Sequence, residues 1–463
     1  MALRTLSFVL GPIAALAVGL AALPVGEAAA WTAGITTVCA IWWVTEPVPV
    51  PVTSLIPLAL LPLLGVLPED QVAASYGHPL ILLLLGGFML SQAMEHTGVH
   101  GRLAVGLLRL IGGGGRRLLF GVMLASGLSS MWLSNTATVL VLLPVVLALR
   151  GDPKANPVDD DVMEAMLIGL AWSASIGGLA TPIGTPPNLI YLAALKEQTG
   201  AAPDFWTWTR VGLPVVFTML PAAWWLLARG LRAGLPAPRL PQSGPWRPAE
   251  RRVLGVFLLT ALAWSTRTAP FGGWSEALDL TNTGETTVAL LACLTVLLLP
   301  DGEGRGERLL PWRRAESLPW GLLLLFAGGI ALAKAFGTSG LSLALGGLVA
   351  GFVGPDGLPL WALVVGISLF VTFLTEVTSN TATATLLMPL LAAVAIGGGL
   401  PPEHLMLPAA LSASCAFMLP VATAPNAVVF GTGYVRSARM ARLGFQLNLV
   451  GAALISLWTL LLG

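Results

Sequence analysis

The chain has 463 residues, of which 56% are apolar and only 10% charged, and its formal net charge is +1. Soluble domains carry about 25% charged residues, so this composition excludes an ordinary soluble protein. The near-neutral charge, with the arginines confined to short loops, predicts no nucleic-acid partner. A mean hydropathy of +0.83 indicates an integral membrane protein.

Eleven apolar runs predict membrane-spanning helices. The first run follows Arg4 and precedes a small-residue patch at 28–30, as a signal peptide would. Because the chain returns to the membrane at once, we expect residues 1–30 to be a retained N-terminal transmembrane helix. The eleven runs lie near residues 6–24, 31–45, 50–67, 80–97, 162–196, 208–228, 252–268, 285–300, 318–336, 405–434 and 443–462.

Two further apolar blocks, 117–150 and 358–397, are each interrupted by the tetrapeptide Ser-Asn-Thr-Ala. We predict that each block is a re-entrant helical hairpin, which enters the membrane part-way and returns. The basic loops support this interpretation, because lysine and arginine collect on the cytoplasmic side. If either block crossed the membrane, every later loop would change sides and the charge pattern would be lost.

The same charge pattern predicts the orientation. With a cytoplasmic N-terminus, eleven spans leave the C-terminus extracytoplasmic, and we expect a multi-pass protein of the inner (plasma) membrane. The outer loops then hold almost no basic residues, for example Pro68-Glu69-Asp70. The inner loops hold Arg109, Arg116 and Arg117; the arginines from 229 to 252; those from 305 to 314; and Arg436, Arg439 and Arg442.

The chain also repeats itself with opposite orientation. Ser134 to Pro144 matches Ser379 to Pro389 at an offset of 245 residues, and Thr185-Pro-Pro-Asn188 matches Thr423-Ala-Pro-Asn426 at an offset of 238. The span at 80 runs inward and its partner at 318 runs outward. We therefore predict inverted repeats at 31–230 and 252–463, joined by a cytoplasmic loop at 231–251. Inverted repeats with interrupted helices are typical of secondary transporters.

Four polar breaks interrupt the apolar helices: the two Ser-Asn-Thr tips, 181–188 and 420–426. Irregular backbone inside a bilayer is tolerated only where it is buried in protein or lines a wet cavity. Freed carbonyl groups suit a sodium ion, and amides at a helix N-terminus suit an anion. None of the breaks contains lysine or arginine, so helix dipoles and co-bound cations would balance an anionic cargo.

With its paired Ser-Asn-Thr motifs, the Trp42-Trp43-Val44-Thr45-Glu46-Pro47 segment and two Thr-x-Pro-Asn breaks, the chain resembles the divalent anion–sodium symporter family over essentially its whole length. The resemblance implies a homodimer with scaffold and transport domains, working by an elevator mechanism in membrane lipid. It implies a small dianionic substrate, C4-dicarboxylates such as succinate above all, and co-transported sodium. One departure is Ala424, where many members have proline.

The resemblance also implies site residues. The first sodium site would use Ser130, Ser134, Asn135 and a carbonyl near Gly184. The second would use Thr375, Asn380, Thr423 and a carbonyl near Ala422. The substrate would contact Ser134, Asn135, Thr136, Thr185, Pro186, Ser379, Asn380, Thr381 and Thr423.

Alternatives remain open at this point. A sodium-independent dicarboxylate exchanger or a sulfate or citrate carrier would share these motifs. An intramembrane hydrolase would need a histidine or paired aspartate beside Ser134 or Ser379, and none recurs there, so we expect no enzyme. The acids within the apolar runs are further candidates for ion or substrate contact. They are Glu46, Glu95, Glu285 and Glu376.

Overall fold

The computed structural model describes residues 2–149, 160–200, 203–231, 244–268, 273–304, 306–349 and 357–463, and these parts of the chain are helical without a β-strand. The first half contains α1 Ala2–Ala22, α2 Glu27–Thr45, α3 Val50–Thr53, α4 Ile56–Leu63, α5 Glu69–Tyr76, α6 Pro79–Thr97, α7 Val99–Ile111, α8 Arg116–Ser130, α9 Asn135–Ala148, α10 Asp160–Gly177, α11 Pro186–Thr199 and α12 Phe205–Ala228. The second half contains α13 Pro248–Ser265, α14 Gly273–Ala277, α15 Glu285–Leu298, α16 Trp312–Ala315, α17 Trp320–Thr338, α18 Leu341–Val349, α19 Leu360–Thr375, α20 Asn380–Gly397, α21 Glu403–Ser412, α22 Ala424–Phe430 and α23 Ser437–Leu462. The predicted all-α membrane fold is confirmed.

Within the described residues, six helical stretches are long and apolar enough to cross a membrane on their own. One of them is α20, which we predicted as half of a hairpin; its length alone would permit a crossing, so the re-entrant course stays a prediction. The run at 50–67 is divided into α3 and α4, because prolines at 51 and 57 restart the helix. The six stretches are Glu27–Thr45, Glu69–Thr97, Phe205–Ala228, Trp320–Thr338, Asn380–Gly397 and Ser437–Leu462.

All four predicted breaks are present. The helix stops at Ser130 and restarts at Asn135, and in the second half it stops at Thr375 and restarts at Asn380. The segments between α10 and α11 and between α21 and α22 are also non-helical, and a proline stands in the first turn of α11 and of α22. A proline there costs nothing, because that backbone N–H has no partner within the helix anyway.

Among the described helices, the short or amphipathic helices α5, α7, α14, α16 and α18 lie outside the predicted apolar runs. Two of them, α7 and α18, follow the long helices α6 and α17 respectively, so they are matching elements of the two repeats. Gly98, with φ 77°, ends α6 and allows α7 to start in a new direction. Residues 99–111 escaped the hydropathy criterion because Arg102 and Arg109 lie on the polar face of α7.

The centre of the molecule is α10, which is buried all round from Val162 to Gly177. It packs closely on α8, because a Cβ atom on Gly177 would lie 2.1 Å from the Gly127 carbonyl oxygen. Helices that pack this closely need small residues at the contact, as is usual in membrane proteins. This close packing positions the break at 181–188, which follows α10, beside α8 and α9.

A cluster of charges joins the two halves at one end of the molecule. The Arg436 backbone N–H donates to Glu164 Oε1 at 2.7 Å, and its guanidinium donates to Asp161 at 2.6 Å. Arg439 lies 2.9 Å from Glu164, whose side chain is 1% exposed. Hydrogen bonds from Arg436 to Glu164 and Asp161 raise the pKa of this guanidinium above its ordinary value. The cluster places at one end two segments that the charge pattern assigns to the cytoplasmic side.

Candidate functional site

A cavity of about 790 Å³ lies between the two repeats, and both Ser-Asn-Thr tips line it. All nine predicted substrate-contacting residues line this cavity, together with Gly184 and Ala422 of the predicted sodium sites. Ser130 and Thr375 do not line it but hydrogen-bond to residues that do. The nine are Ser134, Asn135, Thr136, Thr185, Pro186, Ser379, Asn380, Thr381 and Thr423. Their binding roles stay predictions, but the fold brings all of them together.

Four helices begin at this cavity. The residues that precede α9, α11, α20 and α22 are Ser134, Thr185, Ser379 and Thr423, and all four line it. The first backbone N–H groups of a helix have no partner within the helix, and each N-terminus carries about half a positive charge. Several such ends directed at one cavity create a site for an anion without a basic side chain.

The hydroxyl groups at these four positions are used differently. Ser134 Oγ accepts from the Ala137 N–H at 3.1 Å, and Thr423 Oγ1 accepts from the Asn426 N–H at 3.2 Å. Thr185 Oγ1 lies 3.2 Å from Ser414 Oγ of the other repeat. Ser379 makes no capping hydrogen bond and is exposed to the cavity. The two halves of the site are therefore related but not identical.

The two tip asparagines are held in the same way. Ser130 Oγ donates to Asn135 Oδ1 at 2.6 Å, and Thr375 Oγ1 lies 2.8 Å from Asn380 Oδ1. In both cases the hydroxyl residue ends one helix and the asparagine begins the next. This hydrogen bond orients the carboxamide at the tip. Its Nδ2 group is then directed away from the hydroxyl group. The sequence repeat is thus visible in individual hydrogen bonds.

Oxygen atoms converge at the first predicted sodium site. A Cβ atom on Gly178 would lie 2.8 Å from Asn135 Oδ1 and 3.1 Å from the Gly184 carbonyl oxygen. These two oxygens therefore face the same small space above the Gly178 backbone. Hard cations bind oxygen ligands of this type, so the residues present fit a sodium ion.

Two asparagines that we did not assign to the site hold the broken helices in shape. Asn188 Nδ2 donates to the carbonyls of Gly178 and Thr181 at 2.9 and 2.8 Å. Asn426 Nδ2 donates to the carbonyls of Ala416 and Leu419 at 3.0 and 3.1 Å. In each repeat the asparagine binds the carbonyls ten and seven residues before it. Their recurrence in both Thr-x-Pro-Asn motifs was the signal that could have identified this role.

Glu376, which follows α19 and lines the cavity, holds the segment just before the break at 420–426. Its carboxylate accepts from the backbone N–H groups of Phe417, Met418 and Leu419 at 2.7, 2.8 and 3.0 Å. It also accepts from Asn448 Nδ2 at 2.7 Å, and the residue is 3% exposed. Four donors therefore satisfy this buried acid, which positions the segment that leads to Ala422 and Thr423.

The other three acids have different surroundings. Glu46 lines the cavity and is exposed at the end of α2. Glu285 pairs with Arg267 at 2.8 Å, and Glu95 accepts from Gln92 at 3.1 Å. Among the described residues that line the cavity there is no lysine or arginine.

Comparisons with known proteins identify the family. The family profile described as "Citrate transporter" matches residues 40–400. The sodium-dependent dicarboxylate transporter SdcS of Staphylococcus saprophyticus is 38% identical over 91% of this chain and 84% of its own length. The protein of the same name from Staphylococcus aureus is 36% identical over the same shares. The chain belongs to the divalent anion–sodium symporter family. It is a multi-pass membrane protein of a family of transporters, not of enzymes.

A solved structure agrees with the fold. The crystal structure of the YdaH transporter from Alcanivorax borkumensis superposes on this chain with a TM-score of 0.59. The superposition covers 84% of this chain and 86% of the YdaH chain. The two sequences are only 17% identical, so this likeness concerns the fold alone.

The Gly178 position allows a sharp test of the first predicted sodium site. The Gly178→Ala change places a methyl group between the two converging oxygens, and we expect the sodium concentration for half-maximal uptake to rise about tenfold or more, which corresponds to about 1.4 kcal/mol. Ala416 is the matching residue of the second repeat, so Ala416→Gly is the control and should change sodium dependence little. Sodium titration of succinate uptake measures both. An unchanged titration for Gly178→Ala would contradict this site.

Proposed function

We propose that the chain is a sodium-coupled secondary transporter of small dicarboxylates, with C4-dicarboxylates such as succinate as the cargo. The observation that supports this most is the cavity itself, where four helix N-termini and two carboxamides meet without a basic side chain. The names of the Staphylococcus relatives, which describe sodium-dependent dicarboxylate transporters, support the same cargo and the same coupling ion.

The coupling follows from charge balance. A dianion in a partly desolvated cavity needs positive charge nearby, since burying an unpaired charge is costly. Helix ends contribute partial charges, and the carboxylates of Glu46 and Glu376 at the lining add negative charge. Sodium ions that bind beside the cargo supply the remainder. Cargo binding then depends on sodium, and sodium binding depends on cargo.

The residues that would hold sodium supply oxygen atoms. The first site comprises Ser130, Ser134, Asn135 and the Gly184 carbonyl, and the second comprises Thr375, Asn380, Thr423 and the Ala422 carbonyl. Thr375 Oγ1 also lies 2.8 Å from the Ala413 carbonyl oxygen, which adds an acceptor near the second site. The cargo carboxylates would contact the tip residues, the first turns of α9, α11 and α20, and Thr423 before α22.

Movement of one part of the molecule against the other is the proposed transport step. The cavity extends to Glu46 at the end of α2 and to Pro319 before α17, and the charge pattern assigns both positions to the cytoplasmic side. At the opposite side, His78 lies 3.5 Å from Glu197, and Gln198 Nε2 donates to the Ala333 carbonyl at 3.1 Å. We propose an inward-facing state, an elevator mechanism and a homodimer in membrane lipid, as the family resemblance implies.

Transport assays test the function directly. Purified protein in proteoliposomes is expected to take up labelled succinate with an inward sodium gradient and not when potassium replaces sodium. Uptake that appears only with preloaded succinate would establish exchange instead of symport. Competition by citrate and by sulfate tests which dianion is the cargo. Citrate is included because Ala424 lines the cavity and leaves more room than the proline of many family members. No flux of any dianion would refute the proposal.

The orientation has its own test, because Cys39, Cys293 and Cys415 are all buried. A single introduced cysteine therefore provides the reactive thiol. We expect a membrane-impermeant maleimide to label Glu276→Cys on intact cells, and Glu307→Cys only after the cells are opened. Both positions are exposed, and they lie in loops predicted on opposite sides. Labelling of Glu307→Cys alone on intact cells would show that the orientation in the membrane is the opposite of the predicted one.

A further inference from the structure

Glu46 is an acid without a partner at the lining of the large cavity. Among the described residues that line this cavity, only Glu46 and Glu376 have ionisable side chains. Four donors satisfy the Glu376 carboxylate. Within the same part of the chain, the Glu46 carboxylate makes neither a hydrogen bond nor an ion pair, and the residue is exposed. A negative charge that no protein group balances therefore borders the space proposed for the cargo.

The local backbone gives no structural reason for an acid at this position. Glu46 follows α2 with φ 46° and ψ 51°, a left-handed conformation that favours glycine or asparagine. Its N–H donates to the Trp42 carbonyl at 2.9 Å and so closes the last turn of the helix. The C-terminus of a helix carries about half a negative charge, which disfavours a carboxylate. Backbone strain and unfavourable charge that persist beside a binding cavity indicate a function for the side chain.

The helix α2 lies apart from most of the helices that begin at the cavity. It packs on α1, α3, α4, α17 and α20, whereas α9 and α22 pack on α10, and α11 packs on α20 and α21. At the other side of the molecule, Glu197 lies near His78, and Gln198 of α11 donates to the Ala333 carbonyl of α17. Opening that side requires α11 to separate from α17. Since α2 packs on α17, the distance between Glu46 and the cargo site then changes as well.

The cavity is small enough for Glu46 to act on a bound dianion. A roughly spherical space of 790 Å³ is about 11 Å across, so a cargo at the tips lies within about one Debye length of the lining. A carboxylate and a dianion at that separation repel each other through water. At low ionic strength this repulsion weakens binding by about threefold to tenfold.

We propose that Glu46 lowers the affinity for the dianion on the cytoplasmic side and so promotes release of the cargo there. The inference rests on the proposed transport function and deepens it, because Glu46 makes the two sides of the membrane unequal. Helix ends and sodium ions favour binding wherever the cavity opens. Glu46 opposes binding only while the cavity lies beside the end of α2.

Succinate binding to the purified protein tests this role directly, with sodium at its lowest saturating concentration. We expect Glu46→Gln, which removes the charge at nearly constant shape, to lower the Kd by about threefold to tenfold. Glu46→Asp keeps the charge and should keep the wild-type Kd. Glu27→Gln makes the same change at the other end of α2, outside the cavity lining, and should also leave the Kd unchanged. Equal Kd values for Glu46→Gln and the wild type would overturn the inference.

Added salt distinguishes repulsion from a change of fold. In about 1 M choline chloride the Debye length falls to about 3 Å, so the Kd values of Glu46→Gln and the wild type should converge. A difference that persists in high salt would contradict a role in repulsion.

Vesicles of the two orientations test the sidedness. In Glu46→Gln, the succinate concentration for half-maximal transport should fall on the cytoplasmic side and stay unchanged on the other. An equal fall on both sides would overturn the inference. Absence of dianion binding by the wild type would refute the proposed function and this inference with it. Wild-type uptake together with an unchanged Kd in Glu46→Gln would refute this inference alone.

Discussion

Replacing Glu376 with alanine is expected to prevent folding, and replacing it with glutamine is expected to abolish uptake in a protein that still folds. The alanine variant leaves three backbone N–H groups and the Asn448 carboxamide without their acceptor. Each buried donor left unpaired costs about 1–3 kcal/mol. Folded proteins are stable by only about 5–15 kcal/mol, so four such losses remove most of that margin.

The glutamine variant separates charge from shape. Glutamine keeps one acceptor oxygen, but its NH₂ group would face a donor, so at least one of the bonds to Phe417, Met418 and Leu419 is lost. The segment before Ala422 and Thr423 then shifts, and both the second sodium site and the cargo contacts lose their geometry. Thermal unfolding in detergent and succinate uptake measure the two effects.

The control for Glu376 is Glu403→Gln, at the start of α21 and outside the cavity lining. It should retain expression, melting temperature and uptake. Wild-type melting and uptake in Glu376→Ala would show that the carboxylate does not hold the break.

Asn135→Ala and Asn380→Ala are each expected to reduce succinate uptake by about tenfold to a hundredfold or more, while the protein remains folded. Each change removes a carboxamide from the cavity and deprives a predicted sodium site of one ligand. Hydrogen bonds to charged groups contribute about 1.5–3 kcal/mol, which corresponds to these factors. Ser130 and Thr375 lose one partner each, a cost of about 1 kcal/mol to stability. Uptake and the melting temperature are measured on the same preparation.

Asn282→Ala is the matched control, because Asn282 is exposed in the loop before α15. It should change neither quantity. Full uptake in both tip variants would show that the tip asparagines are not part of the binding site. Loss of folding in either variant would show that its asparagine has a structural role.

Much of the architecture could be predicted because it depends on local patterns. Apolar runs, the doubled Ser-Asn-Thr motif and the paired proline breaks predicted that the helices are interrupted at these motifs. The structure ends them at Ser130 and Thr375 and restarts them at Asn135 and Asn380. The breaks before α11 and α22 are local as well, because a proline fits the first turn of each helix, whereas Pro144 and Pro389 lie inside α9 and α20 and do not end them. The helix α7 was missed because the prediction used hydropathy, and the charged residues on one face of α7 reduce its mean hydropathy.

By itself, the sequence determined that this is a membrane protein with a repeated set of motifs and four polar breaks, because composition and repetition are properties of the chain alone. Only the tertiary structure decided which residues meet. Glu376 binds amides 41 to 43 residues away, and Asn188 was one of several asparagines until the fold placed two carbonyls beside it. The physical reason is that a hydrogen bond forms where packing brings donor and acceptor together, as it brings Thr185 Oγ1 within 3.2 Å of Ser414 Oγ across 229 residues, and such packing is not encoded in any local pattern.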